Sequence, residues 1–428
     1  SDDLKLEQAK YKTRITMVCP LQLKGLLLLV VAILLTIGTV PVNGSIYSKR
    51  LQRALQAVAD EMQAKYDMSI AAALYSKELN LTVAAGYTNE GLGIGKKTRS
   101  ALPDDLYVWG STTKMFTAAA VLQLVEQGAI ALTDPVEVHV DPILKKLSGI
   151  TLAERFGAAI HRVQIHHLLH MTSGIGDYDG EAFSKAQFEQ RSKTFSPAEI
   201  LLKYVSPELQ FSPGTKQSYC STNYILLGFV LANHYHAVGT PWSWQSYDQR
   251  SVFPKALQTA FQKSEFALTG TCQNYTDVHG FMESYNAASL PKQDVWNVSC
   301  SGGWTAGNYI GSVHDVASFT YDLYSKRYPR IVSPTSQVLM TDFKAPGHSD
   351  GFKFYGMGTF SLDWSVGDAE AYGHVGDTYG YQSQTTYFPD LDLALSVASN
   401  VETASQAQPA DFTCVAYHAV VAVLQGTA

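Results

Sequence analysis

Strand-like stretches stand at the two ends of this 428-residue chain, and helix-like stretches fill its middle. Toward the N-terminal end, Ser69 to Tyr75 and Leu81 to Tyr87 read as a hairpin turned through Ser76-Lys77-Glu78-Leu79. Toward the other end, Tyr355 to Trp364, Ala371 to Val375, Tyr381 to Phe388 and Leu393 to Ser399 read as successive strands. Leu51, Leu55, Val58 and Met62 recur at helical spacing in a helix ending near Tyr66, and Phe412 to Leu424 reads as a closing helix. From Asp134-Pro135 to about Cys300 the pattern is helices and long loops, with Ile200 to Val205 and Tyr224 to Asn233 the clearest helical pieces. A sheet must bury at least one face, so these pieces imply one antiparallel sheet assembled from both ends of the chain and flanked by terminal helices. The expected class is α+β, with sheet segments from about 45–130 and 301–428 and a mostly helical insertion over about 131–300.

Hydrophobic residues make up 46% of the chain and charged residues 16%, enough apolar material for a sizeable core. The net charge of -6 lacks the basic excess that a phosphate backbone demands, so nucleic acid is not an expected partner.

Gly25 to Val42 is an almost uninterrupted apolar run, preceded by Lys10, Lys12, Arg14 and Lys24 and followed by the small residues around Asn43-Gly44-Ser45. Residues 1–44 therefore read as a leader, either a signal peptide that starts at Met17 and is cleaved after Gly44 or an uncleaved anchor. About 18 apolar residues is near the lower limit for spanning a bilayer. Both alternatives put residues 45–428 outside the cell, secreted or anchored to a membrane. Asn80, Asn274 and Asn297 each open an N-x-S/T sequon, in keeping with export. Leaving aside Cys19 in the leader, Cys220, Cys272, Cys300 and Cys414 are an even number compatible with disulfides. Cys272 and Cys300 bracket a loop-rich segment with two of the sequons and form the first pair to expect. Cys220 fits a free buried thiol.

The chemistry starts at Trp109-Gly110-Ser111-Thr112-Thr113-Lys114-Met115, which opens an apolar stretch running to Gly128. Residues three apart on a helix share a face. Ser111 and Lys114 would then put a hydroxyl beside an amine, a nucleophile next to a base, while Met115, Ala118, Ala119, Leu122 and Val125 pack the other side. A second group, Tyr219-Cys220-Ser221, forms a polar turn before an apolar helix; its tyrosine can act as a base only where a cation such as Lys114 lowers its pKa. A third, Gly373-His374-Val375-Gly376-Asp377, lies among the late strands, where small residues let a substrate approach a strand edge.

Taken in order, Ser-x-x-Lys, then Tyr-x-x, then His-x-Gly, the chain resembles the serine β-lactamase and DD-peptidase superfamily, in its class C β-lactamase-like branch. The resemblance runs from about Leu51 to Gln425 and extends to Val121-Leu122-Gln123-Leu124-Val125-Glu126-Gln127-Gly128, to Ile165 through Gly174, and to Ser301-Gly302-Gly303-Trp304. It implies that Ser111 is the acylated nucleophile and that Lys114 takes or relays its proton. It implies that Tyr219 shuttles a proton to the leaving group, with His374 in the third catalytic element and Ser221, Val375 and Gly376 against the substrate. The oxyanion hole would be the backbone N–H groups of Ser111 and Asp377, with Ser111 further favoured by its place at a helix N-terminus.

Two positions depart from the branch pattern. Ser221 stands where the branch usually has Asn, and His374-Val375-Gly376 stands where its β-lactamases have Lys-Thr-Gly. Both changes weaken recognition of an anionic lactam. The expectation is therefore an exported serine hydrolase without a cofactor, taking a small-molecule or peptide-like acyl substrate, more an esterase or peptidase than an efficient β-lactamase. The alternative is an impaired homologue that binds or scaffolds without turnover. His166, His167 and His170 lie within a segment that is structural in the resemblance and have no acidic partner at ligand spacing, so no metal is expected.

Overall fold

A computed structural model of the chain describes residues 44–282, 292–343, 355–367, 369–403 and 407–424. The leader run Gly25 to Val42 lies outside the described residues. Among the described residues no helix is long and apolar enough to cross a membrane.

The central element is a six-stranded antiparallel sheet. Helix α1 (Gly44–Tyr66) precedes β1 (Ile70–Tyr75) and β2 (Asn80–Ala85). The buried helix α2 (Thr113–Glu126) follows, then α3 (Val136–Ser148), α4 (Ser221–His234) and α5 (Val313–Tyr324). The chain closes with β3 (Phe360–Ser361), β4 (Tyr372–Thr378), β5 (Tyr381–Phe388), β6 (Leu393–Ser399) and helix α6 (Ala407–Leu424). Sheet order is β3-β4-β5-β6-β1-β2, so the N-terminal hairpin is added to the last C-terminal strand. Ile70 pairs with Ser399 and Tyr75 with Ala394, and the hairpin itself pairs Ile70 with Ala85 and Tyr75 with Asn80. Its turn is held by the Ser76 hydroxyl, which accepts from the N–H groups of Glu78 and Leu79.

Strand alternation divides the core into two. Ile70, Ala72 and Leu74 face the layer of α1 and α6, where Leu55, Val58, Met62, Phe412, Val415 and Ala419 are buried. Ala71 and Ala73 face the opposite layer, which holds α2, α4 and α5. Alanine at these positions leaves room for a helix to lie close against the strand, and Val316 and Phe319 of α5 share that core.

Three expectations are corrected. The Ser-x-x-Lys helix is buried on nearly every side from Thr113 to Leu122 rather than on one face, because it runs through the middle of the core instead of along its surface. Its first turn is tighter than α: Ser111 belongs to a 3-10 turn over Gly110–Thr112. The strand expected over Tyr355 to Trp364 contracts to Phe360–Ser361, with a bridge from Tyr355 to Phe360. Gly358 breaks it: at φ +69 its backbone lies against α2, where a Cβ would fall 2.4 Å from that of Ala118 and 3.1 Å from the Lys114 carbonyl.

Cys272 and Cys300 are disulfide-bonded, with Cα atoms 5.1 Å apart, and Cys220 is a free buried thiol. Asn80, Asn274 and Asn297 are exposed. Asn297 accepts from Arg191 at 2.7 Å, while Asn274 caps its own turn through the Thr271 amide at 2.9 Å.

Candidate active site

The 3-10 turn explains how Ser111 and Lys114 meet. It runs straight into α2, of which Lys114 is the second residue, so the two side chains, three apart, share one face, and the Lys114 Nζ lies 2.8 Å from the Ser111 Oγ. A second contact fixes the amine from below: Nζ donates to the Ala306 carbonyl at 2.9 Å. That carbonyl is presented by a short 3-10 turn over Trp304–Ala306, in which Trp304 adopts φ +38. The Thr117 hydroxyl donates to the Thr305 carbonyl at 2.6 Å, and the Thr305 hydroxyl donates to the Tyr224 carbonyl at 2.8 Å, so α2, this turn and α4 form one unit around Lys114. The Lys114 side chain is fully buried, and burial lowers its pKa to about 8 against the attraction of Asp177, Asp179 and Cys220. An amine of that pKa is partly neutral near physiological pH and can accept a proton.

Tyr219 stands over the amine. Lys114 Nζ is 5.0 Å from its ring centroid and 5.8 Å from that of Tyr224. The Tyr219 ring is stacked on Phe360 at 5.6 Å and set edge-on to Tyr355 at 5.8 Å. Aromatic walls on two sides thus limit where the phenol can go.

His374 is 6.4 Å from Tyr219, ring centroid to ring centroid, but is completely buried. Its Nδ1 lies 2.6 Å from the Val375 carbonyl, which can only accept, so Nδ1 carries the proton and Nε2 accepts from the Tyr355 hydroxyl at 3.0 Å. Burial, with Lys114 adding to it, pushes the His374 pKa down to about 3 and keeps the ring neutral. Both nitrogens are occupied by protein atoms, which makes His374 a wall of the site rather than a second cation. The only cation beside Tyr219 among these groups is Lys114.

The next two positions of that strand also differ from the sequence-based expectation. Val375 packs into the core under α1 and α6, on the sheet face away from Ser111, so its methyl groups do not line the cleft. Gly376 faces the cleft side, but a Cβ there would lie 1.9 Å from the Trp109 carbonyl oxygen and 2.3 Å from the Ser383 Oγ. Its smallness admits the protein's own backbone before Ser111, not a substrate. The alternation of strand faces is the reason for both corrections.

Asp377 lies next along the same strand. Thr378 and Tyr381 close a two-residue hairpin, so Asp377, paired with Gln382, turns its N–H and C=O away from β5. That edge carries Gly110, at φ +51, whose missing Cβ would fall 2.6 Å from the Asp377 oxygen and 3.0 Å from its nitrogen. The Asp377 amide is thereby brought next to the turn that carries Ser111.

Ser221 is the first residue of α4 and is buried. Its N–H donates to the carboxylate of Asp177 at 3.0 Å, and the Thr222 N–H does so at 3.3 Å. Asp177, Tyr355 and the Ala306 carbonyl are site groups that sequence reading missed. The Ser301-Gly302-Gly303-Trp304 motif marked the neighbourhood of Ala306; Asp177 and Tyr355 had no local signal. Two of the three histidines near residue 166 are held by backbone groups: His166 Nδ1 lies 3.1 Å from the Leu132 carbonyl, and His167 Nδ1 accepts from the Gln164 amide at 3.1 Å.

The chain is similar to known proteins. A family model described as Beta-lactamase matches residues 55–419. The chain belongs to the Beta-lactamase family. Penicillin-binding protein 4 of Amycolatopsis lactamdurans is 25% identical over 332 residues, which are 74% of this chain and 77% of that protein. Protein flp of Staphylococcus aureus (strain COL) is 27% identical over 150 residues, 34% of this chain; the match spans only 27% of that relative's length. Among solved structures, a D-stereospecific amidohydrolase from Streptomyces sp. has a TM-score of 0.65 at 24% identity, covering 88% of this chain and 99% of the other. D-amino acid amidase from Ochrobactrum anthropi SV3 gives 0.64 at 20% identity with the same coverage. These two share the fold of this Beta-lactamase family member.

Proposed function

We propose that this chain is a serine hydrolase that cleaves an ester or amide through a covalent acyl-Ser111 intermediate. The observation that carries the reading is the buried Lys114 amine, 2.8 Å from the Ser111 Oγ and fastened to the Ala306 carbonyl. Neutral Lys114 accepts the hydroxyl proton as Oγ attacks the acyl carbon. The carbonyl oxygen gains a negative charge and accepts from the N–H groups of Ser111 and Asp377. As the bond to the leaving group breaks, that group takes the proton, relayed from Lys114 through Tyr219. Water then attacks the acyl-serine by the reverse route and frees the acid.

The cleft side of β4 offers a sealed, neutral His374 and no fixed cation from that strand, which favours a substrate without the carboxylate of a penicillin. The names of the solved relatives, a D-stereospecific amidohydrolase and a D-amino acid amidase, favour an amide of a small amino-acid-like acyl group. Export belongs to the same reading: the leader run, the exposed sequon asparagines and the Cys272–Cys300 disulfide support it, and a mass loss on N-glycosidase digestion of the native protein checks it.

Intact-mass measurement after exposure to an activated ester, to D- and L-amino acid amides and to a fluorescent penicillin tests the central claim. The expected result is a mass gain on native protein that is absent in Ser111→Ala, with turnover of the ester at least about a thousandfold above that variant. Absence of any Ser111-dependent adduct or turnover across the panel overturns it. A stable adduct that does not hydrolyse favours the second reading, a binding protein that has kept the nucleophile, in line with the replacement of the branch's Asn by Ser221.

A further inference from the structure

Asp177 has no counterpart among the groups assigned so far, yet three backbone amides converge on its carboxylate. Ser221 N–H donates to Oδ2 at 3.0 Å, Thr222 N–H to Oδ1 at 3.3 Å and Asp179 N–H to Oδ1 at 3.3 Å. The N-cap of α4, Cys220, makes no side-chain cap of its own, so a residue more than forty positions earlier in the chain caps the helix in its place. The contact is reciprocated by the Tyr178 amide, which donates to the Thr222 hydroxyl at 3.0 Å. More zipping follows the same two segments: Ser173 Oγ donates to Asn223 Oδ1 at 2.7 Å, Ser218 N–H to the Met171 carbonyl at 2.9 Å and Cys220 Sγ to the Ile175 carbonyl at 3.3 Å. The turn that presents Tyr219 is therefore hung on the loop over 171–179, and Asp177 is its charged fastening.

The same carboxylate acts on Lys114. That amine is faced by Asp177 and Asp179 from the loop, by Tyr219, Cys220 and Tyr224 from the turn and α4, and by His374 from β4. Of these, Asp177 is the largest attraction opposing burial of the ammonium; burial raises the pKa of the Asp177 carboxyl itself, while the Ser221, Asp179 and Thr222 amides and Lys114 pull against that rise. We propose that Asp177 is a positioning residue of the acyl-transfer site, fixing the Tyr219 turn through the α4 amides and serving as the counter-charge of Lys114. The proposal rests on the hydrolase reading for its kinetic consequence, but not for its electrostatic one.

The test is direct titration of Lys114 in the full-length protein carrying lysine labelled with carbon-13 at Cε, the signal assigned by its loss in Lys114→Met. Asp177→Asn keeps an acceptor for the Thr222 and Asp179 amides and removes the charge; should it fail to fold, Asp177→Ser is measured in its place. The expected result is an inflection moved downward by about half a pH unit or more, restored to the native position in Asp177→Glu. In the kinetic arm, the rising limb of kcat/KM for an activated ester moves with the NMR inflection, and the plateau falls by about tenfold. A Lys114 inflection that is the same in native protein and the uncharged variant overturns the proposal, even where turnover falls. Native protein without turnover but with the expected NMR shift overturns the hydrolase reading alone.

Discussion

Ser111-x-x-Lys114 and His374-Val375-Gly376 lie side by side at the cleft, and both were read from sequence as motif positions with chemical roles. In the first, the polar atoms point at each other: hydroxyl to amine at 2.8 Å, and the buried amine on to the Ala306 carbonyl at 2.9 Å. In the second, the imidazole is turned to Tyr355 and to its neighbour's carbonyl, the valine packs under the terminal helices, and the glycine makes room for Trp109. What the second region delivers to the site is a backbone edge, at Asp377, and a neutral wall. A motif on a helix turn exposes its side chains together. A motif on a strand sends alternate side chains to opposite layers, so the same number of matching letters carries less chemistry.

Substitutions that break or sharpen this contrast follow in order of expected effect. Lys114→Met removes the base and the cation beside Tyr219 while roughly conserving volume. Ester turnover should fall by about a hundredfold to ten-thousandfold, measured as kcat/KM. In native protein the reactive form is the neutral amine, so kcat/KM should rise as pH passes upward through about 8, and this limb should be missing in the variant. Gly376→Ala tests whether the strand motif acts through packing. With the Trp109 carbonyl 1.9 Å from the added methyl, strand and turn must separate, and a loss of about 2–4 kcal/mol in stability should appear in denaturant unfolding. Turnover should drop with it, since the displaced segment leads directly into Ser111. Val375→Thr restores the residue type that the resemblance associates with carboxylate recognition. Because position 375 packs half-buried against the apolar layer under α1 and α6, acylation by a penicillin should change by less than about threefold, at a stability cost below about 1 kcal/mol. A tenfold gain in penicillin acylation would return Val375 to the cleft.

The antiparallel sheet, its contributions from both chain ends and the flanking terminal helices were legible because alternation and helical spacing are local patterns. The Cys272–Cys300 bond was legible because the two residues bracket one loop. The strand after Tyr355 is shorter than its sequence pattern suggests, since Gly358 only shows its meaning when α2 is lying against it. The all-round burial of α2 was also hidden: Thr113, Lys114 and Thr117 look like a polar face in sequence, but each is satisfied by carbonyls or amides of distant turns. Asp177 and Tyr355 were invisible for the same reason, as their partners are distant in the chain: Ser221, more than forty residues on, and His374, 19 residues on.

By itself the sequence determined the fold class, the order of the elements and the adjacency of Ser111 and Lys114, all of which follow from spacing along the backbone. Tertiary structure decided the charge state of the groups around them. Whether a lysine is a base or a histidine a cation depends on burial and on which carbonyls and carboxylates converge, here Ala306 and Asp177 on one side and Tyr355 on the other. Those are set by how segments far apart in the chain pack, because desolvation and hydrogen bonding act through space and not along it.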